Sequence, residues 1–273
     1  MNDPFLEQAL VKAAEIAQEA GRLVMEYYHA EAAVHIKGGD ARDLVTDADL
    51  SADAAIAHAL GTAFPDHTIL SEEAYQPGDT LDDEAPTWVV DPVDGTTNFA
   101  HRLPLFSISL GLRHRGEGQV GVVHAPALGW MFAAAAQQGG TLNDRPLRAS
   151  NRTEISEAVV ACDWARQPER RRLVLAAHST LAEQAHTMRS MGSAALGLAA
   201  VAAGWIDIYF NYSLAPWDVA AGELLVREAG GIVTTLDGRP WRASSRHILA
   251  SNGKLHEQAL ALLHPHLPED IGD

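Results

Sequence analysis

The sequence predicts a mixed α/β fold, α+β in detail, forming one compact structural unit. Three observations carry that prediction. Apolar residues recur at helical spacing near the N-terminus (Leu6, Ala9, Leu10, Ala13, Ile16, Ala17, Ala20, Leu23 and Val24), so one face of a long helix is buried. Short apolar runs such as Trp88-Val89-Val90 and Ile206 to Phe210 read as strands, and helical patterns alternate with them. The 273 residues suffice for one large domain or two packed halves. A fold of this size buries about three quarters of its unfolded surface without disulfides.

Taken in order, Asp3-Pro4 supplies an N-cap and a first-turn proline for the opening helix. Val34-His35-Ile36 is a short strand ended by Gly38-Gly39. A second helix follows Asp47 and runs through Ala63, with an Asp at its cap. His67 to Leu70 is a strand leading to Ser71-Glu72-Glu73, and residues 76–86, with Pro77, Gly78 and four acids, form an exposed loop. After the apolar run at 88–90, Leu105 to Leu112, Val120 to Val123 and Met131 to Ala135 are strands, and Gly139 to Asn143 turns into another. The character changes near residue 150. Residues 1–150 then form an N-terminal α+β half and 151–273 a C-terminal α/β half. Strand from Ala158, an Arg-rich helix at 168–178, strand, and a small-residue helix through Ala203 follow. Pro216 opens a helix with Ala221, Leu224, Leu225 and Ala229 on its apolar side, ended by Gly230-Gly231. Ile232 to Leu236, Ile248 to Ala250 and a helix from Lys254 close the chain.

Composition excludes some functions. Twenty basic and 36 acidic residues give a formal charge of −16, which repels nucleic acid and anionic membranes. No apolar run reaches the length of a membrane span, and no basic-then-apolar leader opens the sequence. The lone cysteine, Cys162, allows no internal disulfide, so a reducing cytoplasm is the expected location. A Cys-x5-Arg phosphatase loop is ruled out because position 168 is Pro168.

The chemistry concentrates in the stretch from Trp88 to His101. Asp91 ends the apolar run, Pro92 fixes its φ and removes a donor, and the strand is expected to stop there. Asp94 adds a second carboxylate, Gly95 supplies conformational freedom, and Thr96 and Thr97 supply hydroxyls and N–H donors. Two carboxylates held close repel each other until one takes a proton or a cation sits between them. Oxygen-only ligands suit a hard ion such as Mg²⁺ rather than zinc, and donors beside such an ion suit a phosphate. A shorter Asp-Pro-x-Asp-Gly would be an ordinary Asx turn.

This stretch resembles the signature of the inositol monophosphatase family, the Mg²⁺-dependent, lithium-sensitive phosphatases of sugars and polyols. Pro216-Trp217-Asp218-Val219-Ala220-Ala221-Gly222 is similar to that family's second signature, and the likeness spans roughly residues 4 to 263. Asp47-Ala48-Asp49 also approaches the haloacid-dehalogenase nucleophile motif, but Leu44-Val45 is too short for the buried strand that motif needs. The family resemblance implies a layered α-β-α-β-α sandwich of the inositol monophosphatase and fructose-1,6-bisphosphatase type, usually dimeric. It implies two or three Mg²⁺ ions, with Mn²⁺ as substitute, held by Glu72, Asp91, Asp94, Asp218 and the Val93 carbonyl, most of them in the first half. Glu72, Asp49 and Thr96 become the catalytic set, Asp49 reached through a segment matching from Asp43, with Thr96 positioning the attacking water. Val93, Asp94, Gly95, Thr96, Gly192, Ser193, Ala194, Asn211 and Asp218 become the substrate contacts. The substrate class is a small phosphorylated polyol or sugar. Many family members carry Glu where Asn211 stands, so histidinol phosphate, fructose 1,6-bisphosphate and phosphonucleotides stay open beside inositol phosphate. A metal-binding regulatory protein of the same fold is the alternative of another class.

Overall fold

A computed structural model describes residues 3–30, 33–36, 44–76, 81 and 84–268. Gly38-Gly39, Asp43 and part of the 76–86 loop lie outside the described residues. In chain order the elements are α1 (Pro4–Ala30), β1 (Val34–Ile36), β2 (Leu44–Thr46), α2 (Asp47–Ala63), β3 (Thr68–Ser71), β4 (Thr87–Asp94), α3 (Thr96–Ala100), β5 (Ser107–His114), β6 (Glu117–Ala125), β7 (Trp130–Ala135), β8 (Gly140–Leu142) and β9 (Arg145–Pro146). They continue as β10 (Val159–Cys162), α4 (Pro168–Ala182), β11 (Thr187–Arg189), α5 (Ala194–Ala202), β12 (Ile208–Asn211), α6 (Pro216–Glu228), β13 (Ile232–Thr234), β14 (Ile248–Ser251) and α7 (His256–Leu263).

Strands β3 to β9 form a seven-stranded sheet in sequence order, antiparallel except for the β3–β4 pair. A five-stranded mixed sheet has the order β11-β10-β12-β14-β13. Three apolar clusters glue the layers. Leu6, Ala13, Ala20 and Val24 of α1 and Ala52, Ile56 and Leu60 of α2 pack on Trp88, Val90, Ile108, Leu110 and Leu112 of the large sheet. Between the sheets, Leu196, Leu198 and Val201 of α5 and Val219, Ala221 and Leu225 of α6 meet Val123 and Phe132 on one side and Ala161, Tyr209 and Ala250 on the other. The far face of the small sheet is covered by Val174 and Leu181 of α4 and Ala259 and Leu263 of α7. The order of layers is α-β-α-β-α. Such layering leaves each sheet buried on both faces, which explains why β4 is buried throughout.

Glycine sets the depth of the middle layer. A Cβ on Gly111 of β5 would lie 2.8 Å from the Ala220 Cβ, and one on Gly121 of β6 would lie 2.6 Å from the Ala221 carbonyl oxygen. Helix α6 therefore rests directly on the sheet backbone. The N-terminal end of that helix, with Asp218, is thereby brought down to the end of β4.

Two local expectations are corrected. β4 does not stop at Pro92; it runs through the proline to Asp94. Its pairing to β5 shifts register between Asp91 and Asp94, opposing Asp91 to Ser109 and Asp94 to Ser107. Three steps on β4 thus face two on β5, a bulge, and a bulge tolerates a residue without an N–H. The short helix α3, which no apolar periodicity announced, starts at once behind Gly95, whose φ of 96° is left-handed. Helix α2 is also capped differently: Thr46 is the N-cap, and Asp49 closes a reciprocal capping box from the third helical position.

Candidate functional site

The bulge decides the site. In a regular strand, residues three apart point to opposite faces. The extra residue in β4 turns Asp94 back to the face of Asp91, since partners on an antiparallel ladder share a face and Ser107 and Ser109 are two apart. Asp218 arrives from the first turn of α6 onto the same face. One carboxylate oxygen from each of Asp91, Asp94 and Asp218 lies within 4.8 Å of the others.

Each acid is held by backbone donors. Asp91 Oδ1 accepts from the Val93 N–H at 3.0 Å, and Asp218 Oδ2 from the Ala215 N–H at 2.7 Å. Asp94 bridges to the N-terminus of α5, accepting from the Ala194 and Ala195 N–H groups at 3.2 and 2.8 Å and from the Ser193 hydroxyl. Its position there is doubly favourable, because the helix end offers unpaired donors and positive dipole. Even so, burial dominates and pushes the Asp94 carboxyl up to about 6. Asp91 and Asp218 are raised well above the usual range, first by burial and then by neighbouring carboxylates, among them Glu72 and Asp94. Three such groups cannot all stay ionised without a cation. Their donor set, oxygen only, fits a hard divalent ion.

Glu72 follows β3, its N–H donating to the Val90 carbonyl at 3.1 Å, and lines the same cleft without joining the close triad. Asp49 is buried and accepts from the Thr96 hydroxyl at 3.1 Å and from Thr46 through its N–H at 2.9 Å. The Thr96 hydroxyl also faces the Val93 carbonyl at 3.1 Å, so Val93 aims its oxygen into the cleft floor. Burial raises the Asp49 carboxyl above the usual range. Gly95 leaves no room for a side chain, since a Cβ there would sit 3.0 Å from the Leu105 carbonyl and 3.1 Å from that of Gly192. Gly192, Ser193, Ala194 and Asn211 form the opposite wall of a cleft of about 750 Å³ that also contains Glu72, the triad and Thr96. The structure therefore gathers around one cavity every named residue except Asp49, which lies behind Thr96.

Four residues that position the site were not given that role from the sequence. Asn98 donates to the carbonyls of Leu105 and Met191 at 2.6 and 2.8 Å, tying the α3 turn to the Gly192 turn. Asp163 accepts from the Gly192 N–H at 2.7 Å, the Ser190 hydroxyl at 2.9 Å and the Tyr209 hydroxyl at 3.0 Å. Tyr209 in turn accepts from the Asn211 amide at 3.2 Å. A signal for Asp163 existed: like Asp91, it follows an apolar run, Val159 to Cys162. Ser109 donates to the Trp217 carbonyl at 3.3 Å and helps seat α6.

Comparison with known proteins agrees with this geometry. The sequence matches the inositol monophosphatase family over residues 6–267. It is 36% identical over 260 residues to the Escherichia coli (strain K12) protein named Nus factor SuhB, covering 95% of this chain and 97% of that one. It is 40% identical over 235 residues to the inositol-1-monophosphatase of Synechocystis, covering 82% and 78% of the two chains. The solved inositol monophosphatase from Anabaena superposes with a TM-score of 0.84 at 34% identity over 97% of this chain and 98% of that one. The Thermotoga maritima enzyme gives 0.86 at 33% identity over 97% and 100%. With both signatures on one cleft and the match running nearly end to end, this chain belongs to the inositol monophosphatase family.

Proposed function

We propose that the protein hydrolyses the phosphomonoester of a small polyol or sugar, using Mg²⁺ with Mn²⁺ as a substitute. The observation that carries this reading is the meeting of Asp91, Asp94 and Asp218, from separate elements, at one buried point. With Glu72 and the Val93 carbonyl they would hold two or three ions. When bound, such ions supply water of lowered pKa and neutralise charge on the attacking and leaving oxygens.

The chain's own residues do the rest. The Thr96 hydroxyl donates toward Asp49, which leaves its lone pairs to accept a hydrogen bond from the attacking water and fix its direction. Glu72 takes up the proton that water loses. The N–H groups of Gly95 and Thr96, at the start of α3, receive phosphate oxygens as charge develops. The Gly192-Ser193-Ala194 turn and Asn211 line the side on which the alcohol sits, and Asp94 and Asp218 border both regions. No phosphorylated side chain is required, and Cys162 is unsuited to one because burial pushes its thiol up to about 12.

The same reading takes residues 1–150 and 151–273 as one unit, with most ligands in the first half and Asp218 completing the set. It also takes the protein as a cytoplasmic homodimer without a nucleic-acid partner. Among the described residues no helix is long and apolar enough to cross a membrane. Phosphate release from a panel of small phosphomonoesters, with Mg²⁺, with Mn²⁺ and with a chelator, tests the hydrolase reading. Metal-dependent release supports it, and a silent panel refutes it. The name Nus factor, carried by relatives at 36% identity, favours a second reading as a regulatory binding protein. A silent panel with intact metal binding would favour that one.

A further inference from the structure

A second cavity, of about 460 Å³, opens where the edge of the large sheet passes the end of α5. Its floor follows from strand register. Phe132 pairs with Leu142, and Leu142 with Arg145, so these three share one face of the sheet. Trp130, two residues before Phe132 on β7, joins them there. That face is turned to the middle layer, where Phe132 belongs to the apolar cluster of α5. Helix α5 stops at Ala202 and leaves this corner to Trp205, whose ring lies 4.7 Å from that of Trp130 and 5.9 Å from that of Phe132. Trp130 is half-buried, and Trp205 is 44% exposed.

The walls are held by backbone. A Cβ on Gly204, whose φ of 71° is left-handed, would lie 2.8 Å from the Arg148 carbonyl oxygen, so the turn carrying Trp205 rests directly on the chain after β9. Asn143 donates to the Gly129 carbonyl and accepts the Met131 N–H, both at 2.8 Å, tying the β8–β9 turn to the start of β7. The carbonyls at the end of α5, which would repel an anion, are taken up by the N–H groups of Ala203, Gly204 and Trp205. Arg145 and Arg148 are exposed and both border the cavity. Among the described residues neither guanidinium has a carboxylate partner, and no carboxylate lines the cavity; Asp144 is exposed outside it. In a chain of net charge −16, this corner is locally positive beside an open aromatic plane.

We propose that this corner binds a nucleoside monophosphate, its base stacked on Trp205 and its phosphate received by Arg145 and Arg148. A planar guanidinium pairs well with a phosphate oxygen edge, and an indole face stacks on any base. Two arginines match one phosphate, whereas a nucleic-acid strand would bring many charges to an acidic surface that repels them. The cavity is of a size that takes small ligands. It stands apart from the acidic cleft: the N-terminus of α5 holds Asp94, and the cavity lies at the other end of that helix, nine residues or roughly 13 Å along its axis. Binding here is independent of the hydrolase reading.

The probe is the non-hydrolysable methylenephosphonate analogue of adenosine 5′-monophosphate, titrated by calorimetry into the Mg²⁺-loaded full chain. Adenosine and ribose 5-phosphate are the controls, each lacking one half of the ligand. Each control should bind at least about tenfold more weakly than the analogue. Arg145→Gln and Arg148→Gln should each weaken the analogue by roughly tenfold and leave adenosine unaffected. Trp205→Leu should weaken it by roughly 5- to 150-fold, and the tryptophan quenching seen with wild type should largely disappear in that variant. The acidic cleft can also take a phosphonate, but none of these three side chains reaches it. Binding untouched by all three substitutions therefore places the ligand in the cleft and overturns the inference. Ribose 5-phosphate binding as tightly as the analogue, or no binding of the analogue at millimolar concentration, overturns it as well. A short single-stranded RNA that binds where the analogue does not overturns it in favour of a nucleic-acid surface.

Discussion

Removing divalent ions while varying pH tests the acidic triad most directly. The Asp94 carboxyl sits at about 6 in the folded, ion-free protein, against 3.8 for an ordinary Asp. The folded state therefore binds this proton more tightly than the unfolded chain. Its contribution favours the fold at low pH and is lost as pH rises from about 4 through 6. A cation binds only the deprotonated site, so protons compete with it. One competing proton at about 6 weakens apparent ion affinity roughly tenfold between pH 7 and pH 5, which is about 1.4 kcal/mol. For a chain of this size that corresponds to about 3–6 °C in Tm. Asp91 and Asp218, raised further by burial and by each other's company, add to the same trend. The assay is the difference in Tm between Mg²⁺-loaded and chelator-treated protein at each pH. Taking the difference cancels His67, His124 and His256, whose burial lowers them and gives the opposite slope. The ion-induced gain should grow by at least that amount from pH 5 to pH 7. A gain independent of pH would show that the ion does not displace protons from these carboxyls, and the triad would not be the metal site.

Asp94→Asn should fold, since the amide oxygen can still accept from the N-terminus of α5, although its NH2 cannot replace the second accepting oxygen. It should lose on the order of 100- to 1,000-fold in kcat, measured by phosphate release. Gly121→Ala forces a Cβ to within 2.6 Å of the Ala221 carbonyl, so α6 must lift; about 1–3 kcal/mol of stability should go, read by denaturant unfolding, with Mg²⁺ affinity falling as Asp218 retreats. Arg113→Met removes the guanidinium 3.1 Å from buried Glu223, which keeps Arg227 Nε at 2.6 Å, and should cost about 1.5–3 kcal/mol, part of it recovered in the Arg113→Met/Glu223→Leu double variant.

How much of this was legible depended on how local the cause was. The α1 stripe from Leu6 to Val24 reads directly because helical burial is periodic, and Ile108, Leu110 and Leu112 show the period of a strand. Strand β12 lies two residues later than Ile206 suggested, at Ile208–Asn211, because burial of Ile206 reflects packing in the middle layer rather than pairing. The continuation of β4 through Pro92 was not legible, since only the partner strand shows that the proline's missing N–H falls in a bulge. Glu223 and Arg113 drew no reading from the sequence, yet both are buried and paired, with Arg227 on the other Glu223 oxygen. Asp163 and Asn98 act by holding distant carbonyls and N–H groups, and a sequence gives no sign of which turn will pass nearby.

The architecture explains how like charges are kept together at all. Asp91 and Asp218 each use one oxygen on a backbone N–H within three residues, and Asp94 uses both on the α5 terminus and its serine. The directions of the carboxyls are thus fixed by protein donors, local for Asp91 and Asp218 and from the α5 terminus for Asp94. The distances between them are fixed by the bulge in β4 and by the depth of α6 on Gly111 and Gly121. Neither device depends on the charge it positions, so repulsion raises the pKa values without splaying the site. A site built this way should keep its shape when emptied, because what an ion relieves is charge and not strain. Backbone amides of Ala194, Ala195 and Ala215 should accordingly stay protected from hydrogen exchange in chelator. If they lose protection when ions are withdrawn, the ion itself assembles the site, and preorganisation by bulge and glycine is wrong.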